Sequence, residues 1–437
     1  MRSIKRNADR ARSTPKALAD TGISRRAFLG TSAGAVGALL LSGCSAGGGS
    51  GSHSVNFTSW MFGNKSSGKA LREVTTGFTR AHDIEVVDRT YPYAQYLNQL
   101  VLKARDGRSS GVVHIDEEWM STLVTAGVLK EMSLIVDESL YPTRVLDSGT
   151  YQGKRYAMPW TQSAIGIVTN TELAREFGID LENLRTIENF TEALRTIKRS
   201  DPTMIPYLPC TNVTQLKDYI PWVWAFGGSV VRGREVTLGD AGSTEALEYW
   251  KKLLDEGLIA PGIIRDDART LFGQQRAVFY EDAPQAIGVV PKQSVDPNIA
   301  DKMSSLPRPT GSHGTSANLR WSQPLVALTL DDDVQTLLQY MSTDDSALKT
   351  MFTASGQPPT SESSLSSPWF TEATFHAEWN RVVASSSQTN PLWSFPLATT
   401  AQLILDESIE RGLKGVVSVK AALTEAREAL QEEFANH

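Results

Sequence analysis

The chain has 437 residues, 43 Lys/Arg against 49 Asp/Glu, and a net charge of −6. Its first 43 residues hold eight Lys/Arg and two Asp, so the remainder carries −12; that balance disfavours nucleic acid and anionic membrane surfaces as partners. The two cysteines, Cys44 and Cys210, are too few for a cysteine zinc cluster, and about 390 residues suffice for two lobes with cores of their own.

Residues 1–44 read as an address rather than a fold. Ser24-Arg25-Arg26-Ala27-Phe28-Leu29 matches the twin-arginine export pattern, with Arg25 and Arg26 as its pair. The apolar run Ala27–Leu41 is too short to span a bilayer. Leu41-Ser42-Gly43-Cys44 matches a lipobox, in which small residues admit the signal peptidase and the Cys44 thiol takes the lipid. With Cys44 consumed, Cys210 has no disulfide partner. Gly30-Thr31-Ser32-Ala33-Gly34 fits the hydrolase G-x-S-x-G pattern, but it lies inside the export signal with no strand before it. Ser45–Ser54 is a Gly/Ser-rich tether.

The body opens with a strand, Val55–Trp60. Gly63–Lys69 nearly matches a phosphate-binding loop, but Ala70 stands where a magnesium-binding hydroxyl is required. It reads instead as a loop capping a helix, Lys69–His82, with Leu71, Val74 and Phe78 on one face. A second strand, Ile84–Val87, precedes a helical pattern over residues 93–104. A third, Gly111–Ile115, runs into Asp116-Glu117-Glu118-Trp119. In an open α/β sheet ligands bind beyond the carboxyl ends of strands, where Trp60 and this acidic-aromatic cluster should sit. The alternative for Glu117 and Glu118 is a solvated first helical turn.

Tyr151–Asn170 has two unlike halves. Gly153-Lys154-Arg155 is a polar turn, and Tyr156–Pro159 is extended because proline restricts the residue before it. Trp160 follows, then Ala164–Val168, an unbroken apolar strand of the kind buried on both faces. The same residues also read as a core strand with a core Trp. Ile187–Arg199, Asp218–Phe226, Ser243–Glu256, Val334–Met341 and Val417–Phe434 are helical, and Trp321–Leu330 is a strand. Trp222 and Trp224 cannot share one helix face, so at most one is core.

The run G-K-x-Y-x-x-P at 153–159, the apolar strand ending at Asn170 and the helix Thr171–Phe177 closed by Gly178-Ile179 resemble extracellular solute-binding proteins of bacterial ABC importers. The likeness is to the sugar-binding branch that includes maltose-binding protein. Gly127-Val128-Leu129, Gly227-Gly228, Phe272–Tyr280, Leu306-Pro307, Gly356–Pro359 and Asn390–Trp393 resemble further segments of that family in the same order. Gln275 departs from it where a Gly is usual, and Glu281-Asp282-Ala283-Pro284 replaces its G-x-W, so the aromatic there would be Tyr280.

The resemblance implies an α/β periplasmic-binding-protein fold of two discontinuous lobes, at 55–162 with 308–357 and at 163–307 with 358–437. Crossovers would lie near Thr161–Ser163, Leu306–Pro309 and Gln357–Thr360, with an inter-lobe cleft between the lobes. It implies a lipid-anchored monomer that hands a carbohydrate to permease subunits, with no cofactor, no metal and no enzymatic activity. Sugars want aromatic platforms rimmed by carboxylates and amides. The expected ligand residues are Trp60, Asp116, Glu117, Trp119 and Trp321 from one lobe, Trp222, Trp224, Tyr280 and Trp393 from the other, and Trp160 between them. One alternative is an exported glycoside hydrolase, whose two carboxylates, roughly 5–10 Å apart, would come from Asp116, Glu117, Glu118, Glu281 and Asp282. Others are a binder of polyamines, peptides or phosphorylated polyols, and a surface interaction protein.

Overall fold

The computed structural model describes residues 53–436; the twin-arginine segment, the lipobox with Cys44 and most of the tether lie outside them. The main sheet has nine strands: β1 (Ser54–Thr58), β2 (Glu85–Arg89), β3 (Val112–His114), β4 (Ala157–Asn170), β5 (Tyr207–Leu208), β6 (Phe279–Asp282), β7 (Met303–Leu306), β8 (Asn318–Ala327) and β9 (Ser387–Gln388). Their order is β2-β1-β3-β8-β4-β6-β5, with β7 against β4 and β9 against β8.

β4 organises the molecule. Its first part pairs antiparallel with β8, from Ala157 opposite Val326 to Ile165 opposite Leu319. Its last part pairs with β6 and β7, Thr169 standing opposite both Phe279 and Ser304. The two stretches expected on either side of Trp160 are thus one strand of 14 residues, since every side chain but Gln162 is buried. Pro159 and Pro324, which donate no N–H, fall where the β4–β8 register slips.

Separate cores lie on the two sides of this strand. One draws on Val55, Phe57, Leu71, Val74, Phe78, Met158 and Trp160, then on Leu325, Leu337 and Met351. The other draws on Ile167, Phe190, Trp222, Trp250 and Phe279, then on Leu405, Leu423 and Phe434. Each is completed by chain from far along the sequence. Two helices of the second core start on polar caps: Asp240 accepts from the Ser243 N–H at 2.8 Å and Thr186 from that of Asn189 at 3.2 Å. The first helix begins at Lys65, four residues before the expected start, so Ser66–Gly68 are helical rather than loop.

Connectors between the sides touch one another. The Gln162 N–H donates to Pro358 O at 3.3 Å, and the Thr360 hydroxyl to Trp160 O at 3.4 Å. Arg308, fully buried in the chain leaving β7, forms a fork on Glu281 at 2.8 and 2.9 Å and lies over Trp222. Among the described residues no helix is long and apolar enough to cross a membrane, and the free thiol is the buried Cys210.

Candidate functional site

β1 ends at Thr58, and Ser59 caps a single 3-10 turn, Trp60–Gly63, by accepting the Met61 N–H at 3.1 Å. This turn lifts Trp60 off the strand end and leaves it half-buried. Its ring stacks on His114 at 3.8 Å and meets Tyr93, Tyr96 and Trp119 edge-on at 5.3, 5.0 and 5.6 Å. β3 ends at His114 next door, and Asp116 opens the turn Glu117–Trp119. Two adjacent parallel strands therefore deliver an aromatic cluster and a carboxylate to one place.

Asp116 is buried and accepts from Gln323 Nε2 at 2.8 Å and from the Tyr93 hydroxyl. Burial first, and then repulsion from Glu118, pushes its carboxyl up to about 6, although Tyr93, Lys217 and Gln323 all favour the ionised form. His114, buried and held down to about 3 by that burial, is neutral. Its Nδ1 faces the Ser59 hydroxyl at 2.9 Å and its Nε2 faces Gln323 Oε1 at 3.3 Å. Because Gln323 spends its amide N–H on Asp116, its carbonyl is the end left to accept from His114 Nε2.

The second core's side supplies the counter-charge. Lys217, at the start of the turn leading into the helix Tyr219–Ala225, reaches Glu118 Oε2 with its Nζ at 3.2 Å. Burial opposes its charge, but Glu118 and Asp116 outweigh burial and raise its pKa. The helix Ala398–Leu413 brings Asp406, bonded to Gln402 at 2.7 Å. Burial lifts Asp406 to about 8, in spite of Gln402 and Lys217. Asp116 and Glu118 thus face Lys217 across the junction of the two cores, with Asp406 near the lysine on its own side.

A second aromatic surface lies along β8 and β4. Trp224 and Trp321, both half-buried, pack on the same buried Ile165, Leu319 and Ala283. Beyond Trp224 a cavity of about 380 Å³ opens, lined also by Gly227, Arg232, His313, Thr315, Gln388 and Thr389.

Residues 73–377 match the family of bacterial extracellular solute-binding proteins. The chain belongs to that family. Among curated relatives, a Brucella abortus binding protein is 22% identical over 255 residues, 56% of this chain and 60% of the relative. This chain therefore spans less than two thirds of that relative's length. The galactooligosaccharide-binding protein of Bacillus subtilis is 21% identical over 84% of this chain and 87% of its own. Among solved structures, the GacH receptor of Streptomyces glaucescens, determined unliganded and with acarbose, superposes with a TM-score of 0.77 at 18% identity, covering 88% of this chain and 99% of the receptor. The fold of this solute-binding protein is accordingly the two-lobe α/β fold of periplasmic binding proteins.

Of the ten expected ligand residues, the solute-binding protein brings together Trp60, Asp116 and Trp119. Trp224 and Trp321 share the second surface. The others sit elsewhere. Trp222 is fully buried, its Nε1 donating to the Tyr207 hydroxyl at 3.0 Å and its ring packed near Phe190 and Tyr249. Tyr280 is also fully buried, its hydroxyl on Asp282 at 3.1 Å. Both are core residues, because their polar atoms are satisfied inside and no face is left for a solute. Glu117 is buried in an ion pair with Arg320, neither a ligand group nor the solvated turn residue of the alternative. Trp160 is 1% exposed and packs edge-on to His114, a support beneath the cluster rather than part of its surface. Trp393 is buried, and its indole Nε1 has no hydrogen-bond partner among the described residues.

The hydrolase alternative loses three of its carboxylates, since Glu117, Glu281 and Asp282 are engaged by Arg320, Arg308 and Arg269. Tyr93, Lys217, Gln323 and Asp406 were missed. Lys217 lies just ahead of the Trp222–Trp224 helix, and that adjacency was the available signal. Nothing local to Gln323 or Asp406 marks them.

Proposed function

We propose that this protein captures a carbohydrate between its lobes and delivers it to the membrane subunits of an ABC importer. The observation that carries the reading is the Trp60 cluster: an aromatic face with Asp116 at its edge, met from the other lobe by Lys217. An indole covers the weakly apolar C–H face of a pyranose, while carboxylate, amide and ammonium groups bond its hydroxyls. The galactooligosaccharide-binding relative and the acarbose-bound neighbour support a sugar as cargo.

In this reading the lobes comprise 55–162 with 308–357 and 163–307 with 358–437, a division supported by the two cores. The three connectors are the hinges, and cargo that touches both lobes favours the closed form. Lys217 on Glu118 is the contact a closed form makes across the cleft. Export by the twin-arginine route and anchoring through lipidated Cys44 complete the proposal. Cys44→Ala should release the protein from membranes, and retention there would refute the anchor.

A second reading, a basic solute such as a polyamine, is favoured by one observation: Asp116, Glu118 and Asp406 outnumber Lys217. A thermal-shift screen with neutral oligosaccharides and polyamines separates the two, because a ligand of the native state raises the melting temperature by mass action. Stabilisation by an oligosaccharide that is lost in Trp60→Ala supports the first reading. Stabilisation by polyamines alone overturns it in favour of the second.

A further inference from the structure

We infer that the cavity beside Trp224 is a second binding site, distinct from the Trp60 cluster, for a small sugar acid of the hexuronate class. Its walls come from four separate segments. They are the end of the helix Tyr219–Ala225 with Gly227-Gly228, the hairpin that carries Arg232, the connector through His313 and Thr315, and the stretch holding Gln388 and Thr389. None of the residues of the Trp60 cluster lines it.

The walls are fixed. The Thr315 N–H donates to Trp224 O at 3.0 Å and the Gly311 N–H to Ala225 O at 2.9 Å. The connector lies so close to the helix end that a Cβ on Gly314 would stand 1.7 Å from Ala225 O, and one on Gly227, whose φ is +78°, would stand 2.7 Å from His313 O. The wall between the connector and the helix end is therefore fixed by backbone packing.

Its chemistry selects an anion with hydroxyls. No Asp or Glu lines it, in a chain that carries 49 of them. Arg232 is its permanent cation, and its ion pair with Asp240 is long, at 3.9 Å. That carboxylate is already occupied by the backbone N–H groups of Ser229 and Ser243 at 2.9 and 2.8 Å. The Arg232 fork is thus left to take another carboxylate in the bidentate geometry that guanidinium prefers. Around it stand the Thr315 and Thr389 hydroxyls, the Gln388 amide and the His313 imidazole, with the Trp224 ring as the platform. A volume of about 380 Å³ lies near the small end of ligand pockets and suits one or two sugar units. A bare carboxylate would leave the ring and hydroxyls unused, and a neutral hexose would leave the guanidinium unused.

The test is a saturation-transfer NMR titration of the full chain with galacturonate, galactose and acetate, repeated on Arg232→Met, Thr389→Val and Trp60→Ala. Arg232 and Thr389 are exposed, so neither substitution threatens the fold. We expect galacturonate to bind, with affinity about tenfold or more weaker in Arg232→Met, reduced in Thr389→Val and unchanged in Trp60→Ala. Galactose and acetate should bind at least about tenfold more weakly than galacturonate. No binding of galacturonate at millimolar concentration, galactose binding that is equal to it and equally weakened in Arg232→Met, or unchanged galacturonate affinity in Arg232→Met each overturns the site. Galacturonate binding that is lost in Trp60→Ala but kept in Arg232→Met also overturns it, while leaving the inter-lobe carbohydrate reading intact.

Discussion

Trp60 and Trp222 make an instructive pair. Trp60 follows a strand and Trp222 lies within a short helix, and the sequence pattern offers each to a solute. Trp60 rests on neutral His114 with three other rings around it and stays half-buried. Trp222 is enclosed by Phe190, Tyr249 and the Arg308 guanidinium, and its one polar atom is bonded to Tyr207. The difference lies in what arrives from elsewhere in the chain. Beside Trp222, β6 and the connector after β7 bring Glu281 and Arg308, which close the space with a buried ion pair. Beside Trp60, β8 brings Gln323, which supports a carboxylate, and the indole stays half-buried. An aromatic at an element boundary is a ligand platform only when its far-sequence neighbours leave a face open.

This contrast can be broken by substitution. Trp222→Ala should cost about 3–5 kcal/mol in urea unfolding, the range for emptying a buried aromatic site. Arg308→Met should cost a similar amount, because it strands the buried Glu281 carboxylate. A loss under about 1 kcal/mol in both would show that the second core does not depend on this network.

Trp60→Ala should behave in the opposite way. With a sugar identified by screening, calorimetry should show about 2–4 kcal/mol of lost affinity, roughly 30- to 1000-fold, with a much smaller change in unfolding free energy than Trp222→Ala. Parent-like affinity would remove the cluster from the site.

The charges at the lobe junction sharpen the comparison through pH. Asp406 keeps its proton up to about pH 8 in the folded protein but releases it near 3.8 when unfolded. Between those values the unfolded state binds fewer protons, so this group's contribution to stability is complete below about pH 4 and is lost as pH rises through 8. Asp406→Asn should therefore stabilise the protein relative to the parent, by an amount that grows from pH 4 to pH 8 and then levels on the order of 5 kcal/mol. A constant difference across that window would contradict the burial argument.

The smallest effect concerns Lys217. Its ammonium is one of the groups favouring the Asp116 carboxylate, so Lys217→Met should move the Asp116 titration further above about 6. Carboxyl-carbon NMR would show the shift, and an unmoved midpoint would separate Lys217 from that site.

Much of the architecture was legible in the sequence. The apolar run Ala164–Val168 announced a central strand, and amphipathic spacing placed the helices Ile187–Ser200 and Ala241–Asp255 within two residues. Helix and strand periods are local, so residues a few positions apart reveal them. Those periods also established that Trp222 and Trp224 point to different sides. Which of the two is enclosed was decided by the fold: Tyr207, Tyr249 and Arg308 close over Trp222, while Trp224 is left beside a cavity. The same holds for the charges. Asp116 and Glu118 stood out beside Trp119 at a strand end, but Gln323 lies 207 positions from Asp116, and Lys217 lies 99 positions from Glu118. Periodicity assigns a side chain to a face of its own element, and only the packing of distant elements determines whether that face meets core, counter-charge or solute.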